Sequence, residues 1–413
     1  MSREEGAGWG LNWTVTHAYR GSPFYRRLLD EAGVDPARVH ALEDLRRLPF
    51  TTKEQLRETY PLGFTAVPPE RIVRVHASSG TTGRRIVATY TRRDLEDWTE
   101  MFRRCYEYAG VTPEDRVQVT PGYGLWTAGI GFQLGAERLG AMVVPTGPGN
   151  LDLQFEFLID FRSTVFCATS SFGLLIAEEA ERRGLRERLA LRVGIFGSER
   201  WGEGMRGRMR ELLGIDCYDI YGLTELYGPG TGIDCRHHLG IHYWDDYYVI
   251  EIVDPETGRA LPEGEEGEIV VTTLRKEAMP LIRYRTRDLS RLLPGPCPCG
   301  SPHPRIARLT GRTDDMVKVR GVQVYPAQVE AVLASIPGLG TEYQIRLHRE
   351  GGRDVFRLVA EAAAATWPED LGRRLADLVR DRVGVRPEVE LLPPRSLPRS
   401  ERKTRRVFDE RGD

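Results

Sequence analysis

Between residues 72 and 230 the sequence alternates short β-branched or apolar runs with longer helical patterns, and this alternation restricts the fold more than any other property of the chain. The runs fall over 71–76, 86–90, 116–120, 141–145, 164–169 and 193–196. Strand, crossover helix, strand is the pattern of an α/β layer with a largely parallel sheet. After about residue 240 the pattern changes to hairpins. The run 247–253 enters the turn-forming Asp254-Pro255-Glu256-Thr257-Gly258, and 268–274 follows Pro262-Glu263-Gly264-Glu265-Glu266-Gly267, which predicts antiparallel pairing. The first 70 residues read as helical, with Ser22-Pro23 opening one helix. Helices over 326–335 and 368–382 belong to a smaller α+β unit. The expected class is therefore α/β. A large N-terminal domain over 1–313 has mostly parallel sheets and an antiparallel subdomain over 240–310, and a small α+β C-terminal domain covers 314–413.

A chain of 413 residues is long enough for two or more cores, and its ordinary mixture of apolar and charged residues predicts folding without staples. A formal net charge of -2 offers no electrostatic reason to expect nucleic acid or an anionic membrane as the main partner. No apolar run approaches the roughly 18 residues that span a bilayer, and Met1-Ser2-Arg3-Glu4-Glu5 lacks a signal-peptide pattern, so the expected location is cytoplasmic. The six cysteines do not suggest a disulfide scaffold in a chain of this length. Only Lys53, Lys276, Lys318 and Lys403 are lysines among 58 basic residues. Where arginine serves every generic need for charge, a retained lysine hints at a site that wants a compact ammonium.

The loop Ser78-Ser79-Gly80-Thr81-Thr82-Gly83 lies between two expected strands. Its glycines allow close backbone approach and its hydroxyls and amides are donors, a combination suited to the oxyanions of a polyphosphate. It lacks the Walker pattern and feeds a strand rather than a helix. Taken singly, such a loop is more often a solvated turn. In Asp219-Ile220-Tyr221-Gly222-Leu223-Thr224-Glu225 an aromatic ring can stack on a base, a hydroxyl can reach a phosphate and a carboxylate can hold Mg²⁺. Two further segments follow, Tyr284-Arg285-Thr286-Arg287-Asp288 and Gly311-Arg312-Thr313-Asp314-Asp315.

In this order and spacing the segments resemble the adenylate-forming superfamily, and nearly the whole chain is similar to its phenylacetate-CoA ligase family. Leu48-Pro49-Phe50-Thr51-Thr52-Lys53, Gly122-Tyr123-Gly124-Leu125 and the run from Lys276 to Leu289 carry the likeness further. The resemblance implies an enzyme that activates a small carboxylic acid with ATP and Mg²⁺, then passes the acyl group to coenzyme A. It implies that Ser78 to Gly83 hold the β- and γ-phosphates, that Tyr221 and Gly222 lie at the adenine with Ser198 and Glu199 beside them, and that Thr224 touches the α-phosphate. Glu225 would bind Mg²⁺, Asp288 and Arg312 would contact the ribose, and Asp314 would be the hinge of a mobile C-terminal domain. Lys403, in Pro398-Arg399-Ser400-Glu401-Arg402-Lys403, matches the lysine of the adenylation step. Arg402 stands where the family has glycine, and Arg84 replaces the usual loop lysine.

Tyr123 and Trp126 occupy the segment that lines the family's aryl pocket, with Phe172 and Thr231 as further candidates, so the expected acid is aromatic. Trp126 stands where phenylacetate ligases tend to have Phe, which leaves room for a benzoate. An amine or a carrier-protein thiol is the alternative acceptor, and a catalytically silent nucleotide-binding protein is the non-enzymatic one. A homodimer is compatible with the reading. Cys297-Pro298-Cys299-Gly300 and Cys235 supply three thiols, which with one imidazole would complete a structural zinc shell. Some members of the family carry a histidine seven residues after the first cysteine, which selects His242 over His237, His238 and His303.

Overall fold

The computed structural model describes residues 10–78, 84–350, 353–399 and 405–411. Helices α1 (Leu11–Gly21), α2 (Pro23–Glu31), α3 (Leu42–Leu45) and α4 (Lys53–Glu58) come first. The hairpin β1 (Arg74–Ala77) and β2 (Val87–Tyr90) leads into α5 (Arg92–Tyr108), β3 (Arg116–Val119), α6 (Thr127–Leu139), β4 (Met142–Val144) and α7 (Leu151–Asp160). Then come β5 (Val165–Thr169), α8 (Ser170–Arg182), β6 (Val193–Gly197), α9 (Glu203–Leu213) and β7 (Asp216–Leu223). Strands follow without intervening α-helices: β8 (Gly228–Asp234), β9 (Ile241–Tyr243), β10 (Tyr248–Val253), β11 (Gly267–Thr273), β12 (Tyr284–Ser290), β13 (Leu292–Leu293), β14 (Arg305–Ile306) and β15 (Gly311–Arg312). The last elements are β16 (Val317–Val319), β17 (Val322–Val324), α10 (Pro326–Ala334), β18 (Leu339–Glu350), β19 (Arg353–Ala362), α11 (Leu371–Val383), β20 (Glu388–Leu392) and β21 (Val407–Asp409).

The described residues fall into two compact units. One is drawn from Met1–Ala168, Leu189–Ser198 and Tyr218–Leu309, the other from Thr169–Arg188, Glu199–Cys217 and Thr310–Asp413. The expected mixture of parallel and antiparallel pairing is present in a nine-stranded sheet of order β13-β14-β9-β8-β7-β6-β5-β3-β4. Strand β3 runs parallel to both β4 and β5, whereas β7, β8, β9, β14 and β13 are paired antiparallel in turn. A second antiparallel sheet holds β10, β11 and β12.

Local chemistry explains the helices that brace the first sheet. Thr91 caps α5, since its Oγ1 accepts from the Asp94 amide at 3.1 Å while Asp94 Oδ2 accepts from the Thr91 amide at 2.9 Å, a reciprocal capping box. Trp98, Met101, Phe102, Cys105 and Tyr106 then recur at helical spacing and are all buried. Helix α6 meets that face through glycine, because a Cβ at Gly131 or Gly135 would lie 2.4 Å from Phe102. In the second unit β18 pairs antiparallel with β19, while β20 and β21 join parallel at the two edges. Val329, Val332 and Leu333 of α10 and Leu371, Leu375 and Val379 of α11 share one core with Ile345, Phe356 and Leu358.

The N-terminal segment is bound to β12 by backbone and charge. The Thr51 amide donates to Arg283 O at 3.0 Å and Thr51 O accepts from Arg285 N at 2.9 Å. Arg283 is 4% exposed. Its guanidinium donates to both oxygens of buried Glu251 at 3.0 and 3.1 Å and to the carbonyls of Arg46 and Leu48 at 2.7 and 2.8 Å. Phe50 covers it at 4.1 Å. Removing one partner would strand a buried charge and two carbonyls. Arg283→Met is expected to lower unfolding stability by about 3–5 kcal/mol, read by urea denaturation; a loss below about 1 kcal/mol would contradict this account.

Candidate functional site

Strands β1 and β2 pair from Arg74↔Tyr90 to Ala77↔Val87. Ser78 closes the neck of the connecting loop: its amide donates to Ile86 O at 2.9 Å and its hydroxyl accepts from Ile86 N at 3.1 Å. Ser79, Gly80, Thr81, Thr82 and Gly83 lie outside the described residues. Beneath the neck, His76 packs edge-on against Tyr90 and Trp98 at 5.4 and 5.8 Å. Burial holds its imidazole below the ordinary range, so the ring is neutral near pH 7. Leu125 O accepts from the Ala77 amide at 2.9 Å, tying segment 122–126 to the hairpin. In that segment Tyr123 is half-buried against Gly129, and its hydroxyl has no hydrogen-bond partner among the described residues. Trp126 precedes α6 and lies under the Arg85 guanidinium at 5.2 Å, while Arg84 stands over Tyr60 at 5.8 Å.

The second motif occupies the end of β7 and the four-residue turn to β8. Only glycine fits at 222, because a Cβ there would lie 2.2 Å from Gly228 O. Tyr221 is buried, and its hydroxyl donates to Asp288 Oδ2 at 3.0 Å. Glu225 is also buried, with Oε1 accepting from the Tyr284 hydroxyl at 3.2 Å. Thr224 is partly exposed in the turn between them. The Tyr90 hydroxyl donates to Tyr227 O at 2.7 Å, so β2 is fixed to the same turn. The structure thereby joins the β1–β2 hairpin, through Tyr90, to the turn that follows Tyr221, and joins Tyr221 to Asp288.

Ser198 follows β6 in a left-handed conformation, φ 70°. Glu199 Oε1 accepts from the Ser171 amide at 2.8 Å. Phe172 is buried near the start of α8, and Thr231 is buried on β8. Arg312 donates to both carboxylate oxygens of Asp314, at 2.8 and 3.2 Å. Lys403 lies outside the described residues.

Three residues to which sequence reasoning gave no role complete this arrangement: Tyr90, Tyr284 and Lys276. The Lys276 ammonium donates to Glu225 O at 3.0 Å and to Leu226 O. Lys276 was marked by the scarcity of lysine and, with Tyr284, by the run from Lys276 to Leu289 that carries the family likeness, whereas Tyr90 carried no sign.

A separate cluster brings together Cys235, His242, Cys297 and Cys299, whose ligand atoms all lie within 4.8 Å of one another. Cys235 Sγ is 3.7 Å from Cys297 Sγ, and Cys299 Sγ is 3.4 Å from His242 Nε2. Tetrahedral zinc with sulfur at about 2.3 Å and nitrogen at about 2.0 Å would place such atoms about 3.8 and 3.5 Å apart. His242 Nδ1 lies 2.9 Å from His303 O, the outer contact that leaves Nε2 as the ligating atom. The other candidate histidines face elsewhere: His238 Nδ1 is 3.0 Å from Asp234, His303 Nδ1 contacts Asp245, and His237 contacts Arg236.

No helix among the described residues is long and apolar enough to cross a membrane. Residues 25–274 match the AMP-binding enzyme family, and residues 321–411 match the AMP-binding enzyme C-terminal domain. The chain is 46% identical to a phenylacetate-coenzyme A ligase of Thermus thermophilus over 97% of its own length and 94% of that protein. It is 42% identical to a phenylacetate-coenzyme A ligase of Pseudomonas putida, covering 97% and 92% of the two chains. Among solved structures, a 2-hydroxyisobutyryl-CoA ligase in the postadenylation state with 2-HIB-AMP is 30% identical, with TM-score 0.89 over 97% of this chain and 88% of that one.

Proposed function

The chain belongs to the phenylacetate-CoA ligase family of AMP-binding enzymes, and on that premise we propose that it activates an aromatic carboxylic acid with ATP and transfers the acyl group to coenzyme A. A carboxylate oxygen attacks the α-phosphorus, forming acyl-adenylate as pyrophosphate leaves. The coenzyme A thiolate then attacks the acyl carbon, forming the thioester as AMP leaves. Adenylation replaces oxide by AMP as the leaving group, so the protein's work is positioning and charge stabilisation.

The observation that carries this reading is the contact of Tyr221 with Asp288, which joins the adenine-side motif to the ribose-side motif at 3.0 Å. Around it, Ser78 and the loop to Gly83 would grip the β- and γ-phosphates. Tyr221 and Gly222, with Ser198 and Glu199, would bound the adenine, Thr224 would donate to the α-phosphate, and Asp288 with Arg312 would hold the ribose hydroxyls. Glu225, a carboxylate oriented by Tyr284, is a hard oxygen ligand of the kind Mg²⁺ takes, and the ion when bound would neutralise phosphate charge. Lys403 would offset charge developing at the α-phosphate, and Asp314 would be the hinge of a mobile domain over 314–413. Both rest on their motifs. Tyr123 and Trp126 supply flat walls suited to an aryl acid. Cys235, His242, Cys297 and Cys299 would hold one structural Zn²⁺. Four protein ligands leave no open position, so that ion would serve the fold of the β8–β14 region rather than catalysis.

The reading is tested with a panel of aryl and arylacetic acids, scored for acid-dependent pyrophosphate exchange and for acyl-CoA by mass. Exchange followed by thioester formation is expected. Exchange without acyl-CoA would transfer the second step to an amine or carrier-protein thiol, and absence of exchange with every acid would refute activation. Lys403→Ala should reduce adenylation by about 10²–10³-fold while thioester formation from preformed acyl-adenylate changes by less than about 10-fold; equal losses would refute its role. Metal analysis should find one zinc per chain in the parent protein and none in Cys297→Ser, and a zinc-free parent would sink the assignment.

A further inference from the structure

Lys276 has no part in the chemistry assigned above, although it is one of only four lysines in the chain. Its side chain is fully buried. The ammonium donates to the carbonyls of Glu225 and Leu226, consecutive residues of the turn that also carries Thr224. The rings of Tyr90 and Tyr227 face it at 5.2 and 5.0 Å, and aromatic faces attract a desolvated cation. Asp94 of α5 contributes negative field without a salt bridge. Its oxygens accept instead from the amides of Thr91, Glu277 and Ala278 at 2.9, 2.7 and 2.9 Å.

This is an unusual use of a buried cation. Its direct partners are two backbone carbonyls that the hairpin ladder does not reach, since the β7–β8 pairing ends at Leu223↔Gly228. An ammonium can aim several donors from one atom at converging acceptors, whereas the guanidinium fork is planar and larger. That difference accounts for lysine here in a chain that otherwise prefers arginine.

We propose that Lys276 is a positioning residue for the adenylation step: its ammonium clamps the Glu225 and Leu226 carbonyls and so fixes the direction in which Thr224 and Glu225 meet the α-phosphate and magnesium. The assignment rests on the roles given to Thr224 and Glu225 above. The ammonium is fully buried. The groups facing it are Asp94 from α5, Glu225 and Tyr227 from the turn and Tyr90 from β2.

The test compares the parent with Lys276→Met and Lys276→Gln in both half-reactions. In each variant pyrophosphate exchange at saturating acid should fall by about 10²-fold, the loss typical of a reacting group displaced by about 1 Å. The Mg²⁺ concentration giving half-maximal exchange should rise, and thioester formation from preformed acyl-adenylate should stay within about 3-fold of the parent. Unchanged exchange and magnesium dependence would overturn the assignment, as would equal losses in the two half-reactions. Failure of both variants to fold would also overturn it, because the lysine would then serve the fold and not the turn. A parent without exchange for any acid would refute the functional reading and this assignment together, whereas an active parent with fully active variants refutes the assignment alone.

Discussion

A buried turn must find donors for carbonyls that no neighbouring strand can reach, and the four residues after β7 meet that demand with one ammonium. The constraint is severe, because each buried carbonyl left without a donor costs about 1–3 kcal/mol. Once Glu225 O and Leu226 O are held, the turn can serve as an anchor for the segments around it. Tyr90 reaches it from β2, Tyr284 reaches it from β12, and Tyr221 reaches from β7 to Asp288. Each link is a phenol that combines a rigid apolar body with a polar tip. Three phenols and one lysine thus bring together segments separated by up to about 200 residues of sequence.

Much of the architecture was legible beforehand because it depends on periodicity. The runs over 116–120, 141–145, 164–169 and 193–196 become β3 to β6, displaced by one residue or less at either end. The change to hairpins after residue 240 likewise appears as β10 and β11. Candidate residues that the structure brings together stood out where the side chain itself bears a distinctive chemistry, as with the contact of Tyr221 with Asp288 and the Cys235–Cys299 cluster. Lys276, Tyr90 and Tyr284 did not, because the acceptors of the first two are backbone carbonyls, which every residue possesses. A carbonyl distant in sequence leaves no trace in composition or spacing. The pair Arg283–Glu251 was hidden for another reason: a charged residue in or beside a strand reads as a solvated face until tertiary packing buries it.

With a zinc ion bound, the cysteine–histidine cluster would secure what hydrophobic packing secures elsewhere. Strands β9, β13 and β14 are only two or three residues long, and such short strands bury little surface of their own. Ligands drawn from the β8–β9 connection, from β9 and from the loop between β13 and β14 would cross-link this end of the sheet. The α5–α6 face needs no such aid, with Trp98, Met101, Phe102 and Phe132 packed in one core.

The step from β7 to β8 differs from the connections before it. Strands β5, β6 and β7 are joined through helices α8 and α9, whereas β7 returns through Thr224, Glu225, Leu226 and Tyr227 alone. A helical crossover can absorb added residues in the loops at its ends. A four-residue return with two clamped carbonyls and a glycine beneath Gly228 O cannot. Added length is therefore better accommodated in the helical crossovers than in the β7–β8 return. A library that diversifies loops for new substrates should leave residues 222–227 untouched and place its insertions elsewhere.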